Sequence, residues 1–174
     1  IAASDFFGGA TGQQHGAVKL NGDGTYLIAG SSGDDTTQSA AGAAYIFTRS
    51  GTSWSQQAKI VASDPTANKW FGRQVSISND GVYAICGAYR DNTDAGAAYV
   101  FVRSGTSWSQ QAKLVASDAA SYAQFGYQVD LNSAGTIAVV SANKRTAAGS
   151  LANAGAVYVF SRDGTSWTED EIIV

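Results

Sequence analysis

Methionine is absent from this sequence of 174 residues, even at position 1, and cysteine and proline occur once each, as Cys86 and Pro65. A lone cysteine cannot close an internal disulfide, so a cysteine-stapled fold is excluded. A chain that lacks an initiating methionine is expected to be processed or to be a piece of a longer protein, with any export signal already removed. Charge is scarce: 14% of residues are charged and the net charge is -3, against about 25% charged in ordinary soluble domains. There is no basic footprint for nucleic acid and no polybasic face for anionic membranes. No apolar run approaches the roughly 20 residues that cross a bilayer, so membrane insertion is not expected. No Asn-x-Ser/Thr sequon occurs, so N-linked glycan is not expected.

What the sequence has is repetition. The stretch from Gly96 to Asp118 occurs almost letter for letter from Gly42 to Asp64, and a looser third copy runs from Gly155 to Val174. Tyr45, Tyr99 and Tyr158 are equivalent, as are Trp54, Trp108 and Trp167. The chain reads as a single module of three units, residues 1–60, 61–114 and 115–174. In the second unit, hydrophobic segments Phe71–Ile77, Val82–Ala88 and Ala97–Val102 and the tail Trp108–Val115 are separated by Asn79-Asp80-Gly81, a polar loop and Ser104-Gly105-Thr106. Short β-rich runs broken by such turns predict antiparallel hairpins, four strands per unit and twelve in all. Ala97–Val102 is apolar at both parities, as in a strand buried on two faces. The first two strands of each unit, rich in Gly, Ala and Ser, suit a crowded axis, and the Ser-Gln-Gln-Ala tail suits an outer edge. A repeating four-stranded sheet with two buried faces is a propeller blade, so the fold class is all-β and β-propeller-type.

The pattern resembles the FG-GAP family, the repeats of integrin α-subunit propellers and of many bacterial surface proteins. The residues that carry the resemblance are Phe71-Gly72 with Val75, Cys86-Gly87-Ala88 and Gly96–Phe101, then Phe125-Gly126 with Val129, Ser141-Ala142 and Gly155–Phe160. The tail Gly-Thr-Ser-Trp-Ser-Gln-Gln-Ala-Lys-Leu looks like the bacterial branch. The chain departs from the pattern in lacking proline after Gly-Ala, and in Gln14-His15, which stand where the other units have Phe-Gly; a displaced pair occurs at Phe7-Gly8. The resemblance implies an extracellular or cell-surface location and work in adhesion, recognition or scaffolding without catalysis. Propellers close with 4 to 8 blades, so three units imply a partial or oligomer-completed ring. The repeat phase suits head-to-tail joining, which leaves three readings: a stretch of a longer propeller, a six-blade ring of two chains, or a fibre subunit. A glycan- or protein-binding, lectin-like propeller is the alternative function.

Few residues capable of chemistry cluster in the sequence. His15, the only histidine, has no equivalent in the other units, and Cys86 corresponds to Ala29 and Val140, which reads as a small buried position. The resemblance raises calcium, which needs six or more oxygen ligands; the short Asn-Gly-Asp-Gly and Asn-Asp-Gly turns carry one carboxylate each at most. The remaining calcium candidates are loop residues Asp34, Asp35, Asp91 and Asp94, against a reading of these loops as solvated. The third copy has Lys144 and Arg145 there instead, so an acidic loop of one copy and a basic loop of the next are candidates for contact. Trp54, Trp108 and Trp167 read as blade-to-blade packing, and Trp70, outside that series, as an exposed contact. Asp5, Asp64 and Asp118, each after Ala-Ser, read as loop caps.

Overall fold

A computed structural model describes residues 15–146 and 153–174. Twelve strands form three antiparallel four-stranded sheets, each in sequence order. Blade 1 contains β1 (His15–Leu20), β2 (Tyr26–Ser31), β3 (Ala43–Ser50) and β4 (Ser53–Ile60). Blade 2 contains β5 (Val75–Ile77), β6 (Tyr83–Ala88), β7 (Ala97–Ser104) and β8 (Ser107–Leu114), and blade 3 contains β9 (Phe125–Leu131), β10 (Ile137–Ala142), β11 (Ala156–Asp163) and β12 (Ser166–Ile173).

The turns follow from local chemistry. In each outer hairpin the partners Ser50 and Ser53, Ser104 and Ser107, or Asp163 and Ser166 enclose two residues, Gly-Thr. The glycine has φ of 60, 60 and 57° at Gly51, Gly105 and Gly164, the left-handed first position of a two-residue hairpin that matches the right-handed strand twist. Each outer strand also holds one extra residue, Gln57, Gln111 or Asp170, opposite the Ile46–Phe47, Val100–Phe101 and Val159–Phe160 pairs. Such a bulge re-aims a side chain: Gln57 and Gln111 reach the next blade, while Asp170 accepts from Ser161 of its own blade.

The blades stack face to face. Ile28, Ala44, Ile46 and Ile60 of blade 1 share one core with Phe71, Val75, Ile77, Cys86, Tyr99 and Phe101 of blade 2. The equivalent residues Ile85, Ala98, Val100 and Leu114 meet Phe125, Val129, Leu131, Val140, Tyr158 and Phe160. Phe71 was expected inside the first strand of blade 2, but β5 begins only at Val75. Phe71 instead makes a parallel bridge to Gly42 across the junction, as Phe125 does to Gly96. The reason is interlocking: its ring sits edge-on to Tyr99 and Phe101, with centroids 5.5 and 5.9 Å away, and its backbone belongs to the contact between blades.

Candidate assembly interface

Each junction is built from one forward face and one rear face, and the outer-edge and rim contacts recur at both. At the outer edge Trp108 Nε1 donates to Gln57 Oε1 at 3.0 Å, and Trp167 Nε1 donates to Gln111 Oε1 at 2.9 Å. Trp108 and Trp167 thus pack blade on blade, each with a bulge residue as acceptor, whereas Trp54 packs against residues of its own blade. Beside it, Gln110 Oε1 accepts from the Ser63 amide, and Glu169 accepts from the amide and hydroxyl of Ser117. On the rim, Arg103 stacks on Tyr26 and Arg162 on Tyr83, at 4.7 and 4.1 Å. Near the axis, Ser76 Oγ donates to Asp130 at 2.5 Å, and Lys19 of blade 1 reaches the same carboxylate at 3.8 Å. At the tightest point the blades meet backbone to backbone. A Cβ on Gly30 would stand 1.8 Å from the Gly72 carbonyl oxygen, and one on Gly87 2.1 Å from that of Gly126.

The recurring tyrosine of the third strand carries a second device. Tyr45 donates to Asp34 at 2.6 Å, Tyr99 to Asp64 at 2.9 Å, and Tyr158 to Asp118 at 2.6 Å. A cation then neutralises each carboxylate, and its source changes from blade to blade. In blade 1 it is Lys59, 2.9 Å from both Asp34 oxygens and also bonded to Thr36. In blade 2 two carboxylates meet two lysines: Lys69 lies 2.9 Å from Asp64 and 3.2 Å from Asp91, and Lys113 lies 2.7 and 2.6 Å from the same pair. In blade 3 the strand position of Lys59 and Lys113 has become Ile172, and Arg145 supplies the charge at 2.6 Å from Asp118. Burial pushes the Asp34 carboxyl up, but bonds from Thr36, Tyr45 and Lys59 outweigh it and hold the group below its ordinary value. Asp64 and Asp118 are lowered in the same way, burial being overcome by Lys113, Lys69 and Tyr99 in one case and by Tyr158 and Arg145 in the other. Burial, reinforced by the adjoining carboxylates, pushes the three phenols up.

The residues singled out in the sequence fall into this arrangement unevenly. Asp34 and Asp91 are buried and engaged with lysines. Asp35 accepts from the Ala40 amide at 2.7 Å, and Asp94 faces Arg90 at 3.4 Å. Among the described residues no group of three His, Cys, Asp or Glu side chains is arranged to hold a metal ion. Asp64 and Asp118, read as loop caps, are anchors of the tyrosine clusters; Asx-type bonds are made by Asp23, Asp34 and Asp80, whose carboxylates accept from the amides two residues on. Arg145 is tied to Asp118 of its own chain while Lys144 is exposed. Trp70 is half-buried at φ 55°, with the Arg90 guanidinium 4.7 Å over its ring and Tyr89 edge-on at 5.8 Å, and Tyr89 in turn meets Tyr127 at 5.3 Å. Cys86 is buried and burial pushes its thiol up, which leaves it a poor nucleophile. His15 opens β1, paired with Ser31 across a bulge. Asp5, Phe7-Gly8 and Gln14 lie outside the described residues. Sequence reading missed Lys59, Lys69, Lys113 and the bulge glutamines. The co-recurrence of Lys59 with Asp34 and of Lys113 with Asp91 was the available signal for the lysines; Lys69, replaced by Ala123 in the next unit, had none.

The FG-GAP repeat family matches residues 54–101 and 108–160, more than half of the chain. The chain belongs to the FG-GAP repeat family. None of the curated proteins is significantly similar to it. Solved structures share its fold: TolB from Acinetobacter baumannii, a β-propeller, aligns with a TM-score of 0.51 at 10% identity, covering 90% of this chain. The chain spans 32% of that TolB chain, so the likeness concerns blade architecture alone.

Among the described residues three FG-GAP blades make two internal junctions, and one face of blade 1 and one face of blade 3 have no blade against them. On the rear face of blade 1, Val18 and Leu20 are 67% and 51% exposed, whereas Val75 and Ile77, their equivalents in blade 2, are 4% and 3% exposed. With Leu27 and Trp54 they line an open hollow of about 470 Å³. On the forward face of blade 3, Val139, Val157 and Ile173 are exposed where Ile85, Ala98 and Leu114 are buried.

Proposed function

We propose that this chain is a non-catalytic, extracellular structural or adhesive module whose work is to be extended by further blades, whether a fibre subunit or a stretch of a longer surface propeller. The observation that carries the reading is the rear face of blade 1, where Val18 and Leu20 stand in water at positions that are buried in the two blades that follow. Exposed apolar patches that reproduce a buried interface mark an interaction surface. FG-GAP repeats are typically extracellular, and no helix of the described residues is long and apolar enough to cross a membrane. The absence of catalysis is supported by the state of the reactive groups: the thiol is buried, and the carboxylates of the tyrosine clusters are each held by a cation. Light scattering coupled to size-exclusion chromatography tests the proposal. The mass is expected to exceed the 17.9 kDa of one chain and to rise with concentration, and Leu20→Glu is expected to return it toward one chain. A monodisperse single chain, unchanged by Leu20→Glu, overturns the reading.

A second reading rests on Trp70, Tyr89 and Tyr127. These aromatics come from three different segments, have no aromatic equivalents at their repeat positions, and still converge beside Arg90. Such a group suits a saccharide or an aromatic-rich peptide. Saturable binding on a glycan array that Trp70→Ala removes would support it.

A further inference from the structure

The forward face of blade 3 keeps most of the residues that grip a following blade. Val139, Val157 and Ile173 replace Ile85, Ala98 and Leu114, and Gly155, at φ 80°, keeps the left-handed backbone of Gly42 and Gly96. The bulge acceptor also survives, with Asp170 where Gln57 and Gln111 receive an indole N–H.

Two positions differ in kind. The first is Ser141, which pairs with Val157 as Gly30 pairs with Ala44 and Gly87 with Ala98. At both internal junctions a carbonyl of the arriving Phe-Gly segment approaches this place to within 1.8 and 2.1 Å of a would-be Cβ. Ser141 carries that Cβ, and its hydroxyl accepts from the Gln128 amide at 3.0 Å. A carbon and a carbonyl oxygen cannot share that space, so an arriving blade must be displaced. The second is Glu171. Its equivalents Ala58 and Ala112 pack against the two interblade cores, on strand segments flanked by the Gln57–Trp108 and Ser63–Gln110 contacts. A carboxylate moved from water to that partly buried position without a cation loses solvation that nothing there replaces. The outer strand changes character as a whole, from Ser-Gln-Gln-Ala in blades 1 and 2 to Thr168-Glu169-Asp170-Glu171.

We propose that the forward face of blade 3 is a selective face, closed by Ser141 and Glu171 to a regular Phe-Gly blade in the internal register. The partner it fits is a blade whose leading backbone stays clear of Ser141 and whose outer strand brings a lysine or arginine to Glu171. The inference rests on the reading of outer blade faces as docking surfaces, and it makes the two outer faces unequal.

The test appends a second copy of residues 62–114 after Val174, which is in phase because Val174 corresponds to Val61 and Val115. Amide hydrogen exchange then reports whether the appended blade folds against blade 3. On the native face its strands are expected to exchange as a loose chain does. On the Ser141→Gly/Glu171→Ala face they are expected to exchange at least tenfold more slowly, with each single variant giving part of the gain. Exchange in blades 1 and 2 shows in the same sample that the host remains folded. Equal protection on both faces overturns the proposal, and so does protection on neither, because the two residues are then not the obstacle. The appended blade meets blade 3 alone, so this result and the self-association test of the blade 1 face succeed or fail separately.

Discussion

Removing Lys69 tests the charge cluster of blade 2 most directly. Its side chain is fully buried, while Asp91 is 7% exposed and Asp64 47% exposed. Two lysines and two carboxylates sum to zero there; Lys69→Met leaves one carboxylate charge uncompensated. It also empties the donor positions facing the Asp64 carbonyl, the Asp64 carboxylate and the Tyr99 hydroxyl. Breaking a buried ion pair from one side costs about 3–5 kcal/mol. Lys113 remains within 2.7 Å of both carboxylates and Asp64 is half in water, so the low end, about 3 kcal/mol, applies. For a domain of this size that lowers Tm by about 6–12 °C. Urea titration is the assay: the midpoint should fall with m unchanged, and Asp91→Asn in the Lys69→Met background should restore part of the loss, because it removes the stranded charge. A loss below about 1 kcal/mol would place Lys69 among ordinary surface ion pairs and refute the argument that burial makes this cluster matter.

Acid should destabilise the protein through Asp34, Asp64 and Asp118. Their folded-state pKa values are lowered, so their contribution is complete above the unfolded carboxylate value of about 3.9 and is lost as pH falls through the lower folded values. A melting series should therefore be flat from neutral pH to about 5 and drop below about 4, and a drop already complete at pH 5 would contradict the depressed values. Gly87→Ala forces a Cβ to 2.1 Å from the Gly126 carbonyl and should cost about 3 kcal/mol as an overpacked core does. Gly105→Ala, with open space around it and φ 60°, should cost only about 1 kcal/mol of backbone strain; chemical denaturation distinguishes the two. Trp108→Phe and Trp167→Phe should each lose about 1 kcal/mol with the indole hydrogen bond. Trp54→Phe should lose less, because Trp54 makes no such bond to a described residue, and equal losses at all three sites would count against the role given to the bulge glutamines.

Much of the fold was legible because a blade is a local object. Four strands in sequence order, joined by short loops, need only β-rich runs and turn glycines, and Gly51, Gly105 and Gly164 announce their hairpins at a fixed distance before each tryptophan. The buried phase of Tyr45, Tyr99 and Tyr158 was visible in their recurrence. The clusters around those tyrosines were not, because Asp64 precedes Tyr99 by 35 residues and its cations come from the 4-to-1 connection and the outer strand. In blade 3 the cation has moved from strand to loop, which in the sequence looked like a charge reversal between surface loops and in the structure is a charge-neutralised tyrosine cluster in each blade.

The sequence by itself determined the blade, its strand order, its turns and the number of copies, since each of these depends on contacts within some fifty residues that the repeat prints three times. Only the tertiary structure decided what the variations between copies mean. Gly30, Gly87 and Ser141 look like a harmless drift among small residues until a neighbouring carbonyl oxygen is found within 1.8 and 2.1 Å of where a Cβ on the two glycines would stand, and Ala58, Ala112 and Glu171 look like surface positions until the first two are found packed against the interblade cores. Steric exclusion and the desolvation of a charge act across a junction, between segments that the linear sequence keeps apart, so their signs appear only when the blades are stacked.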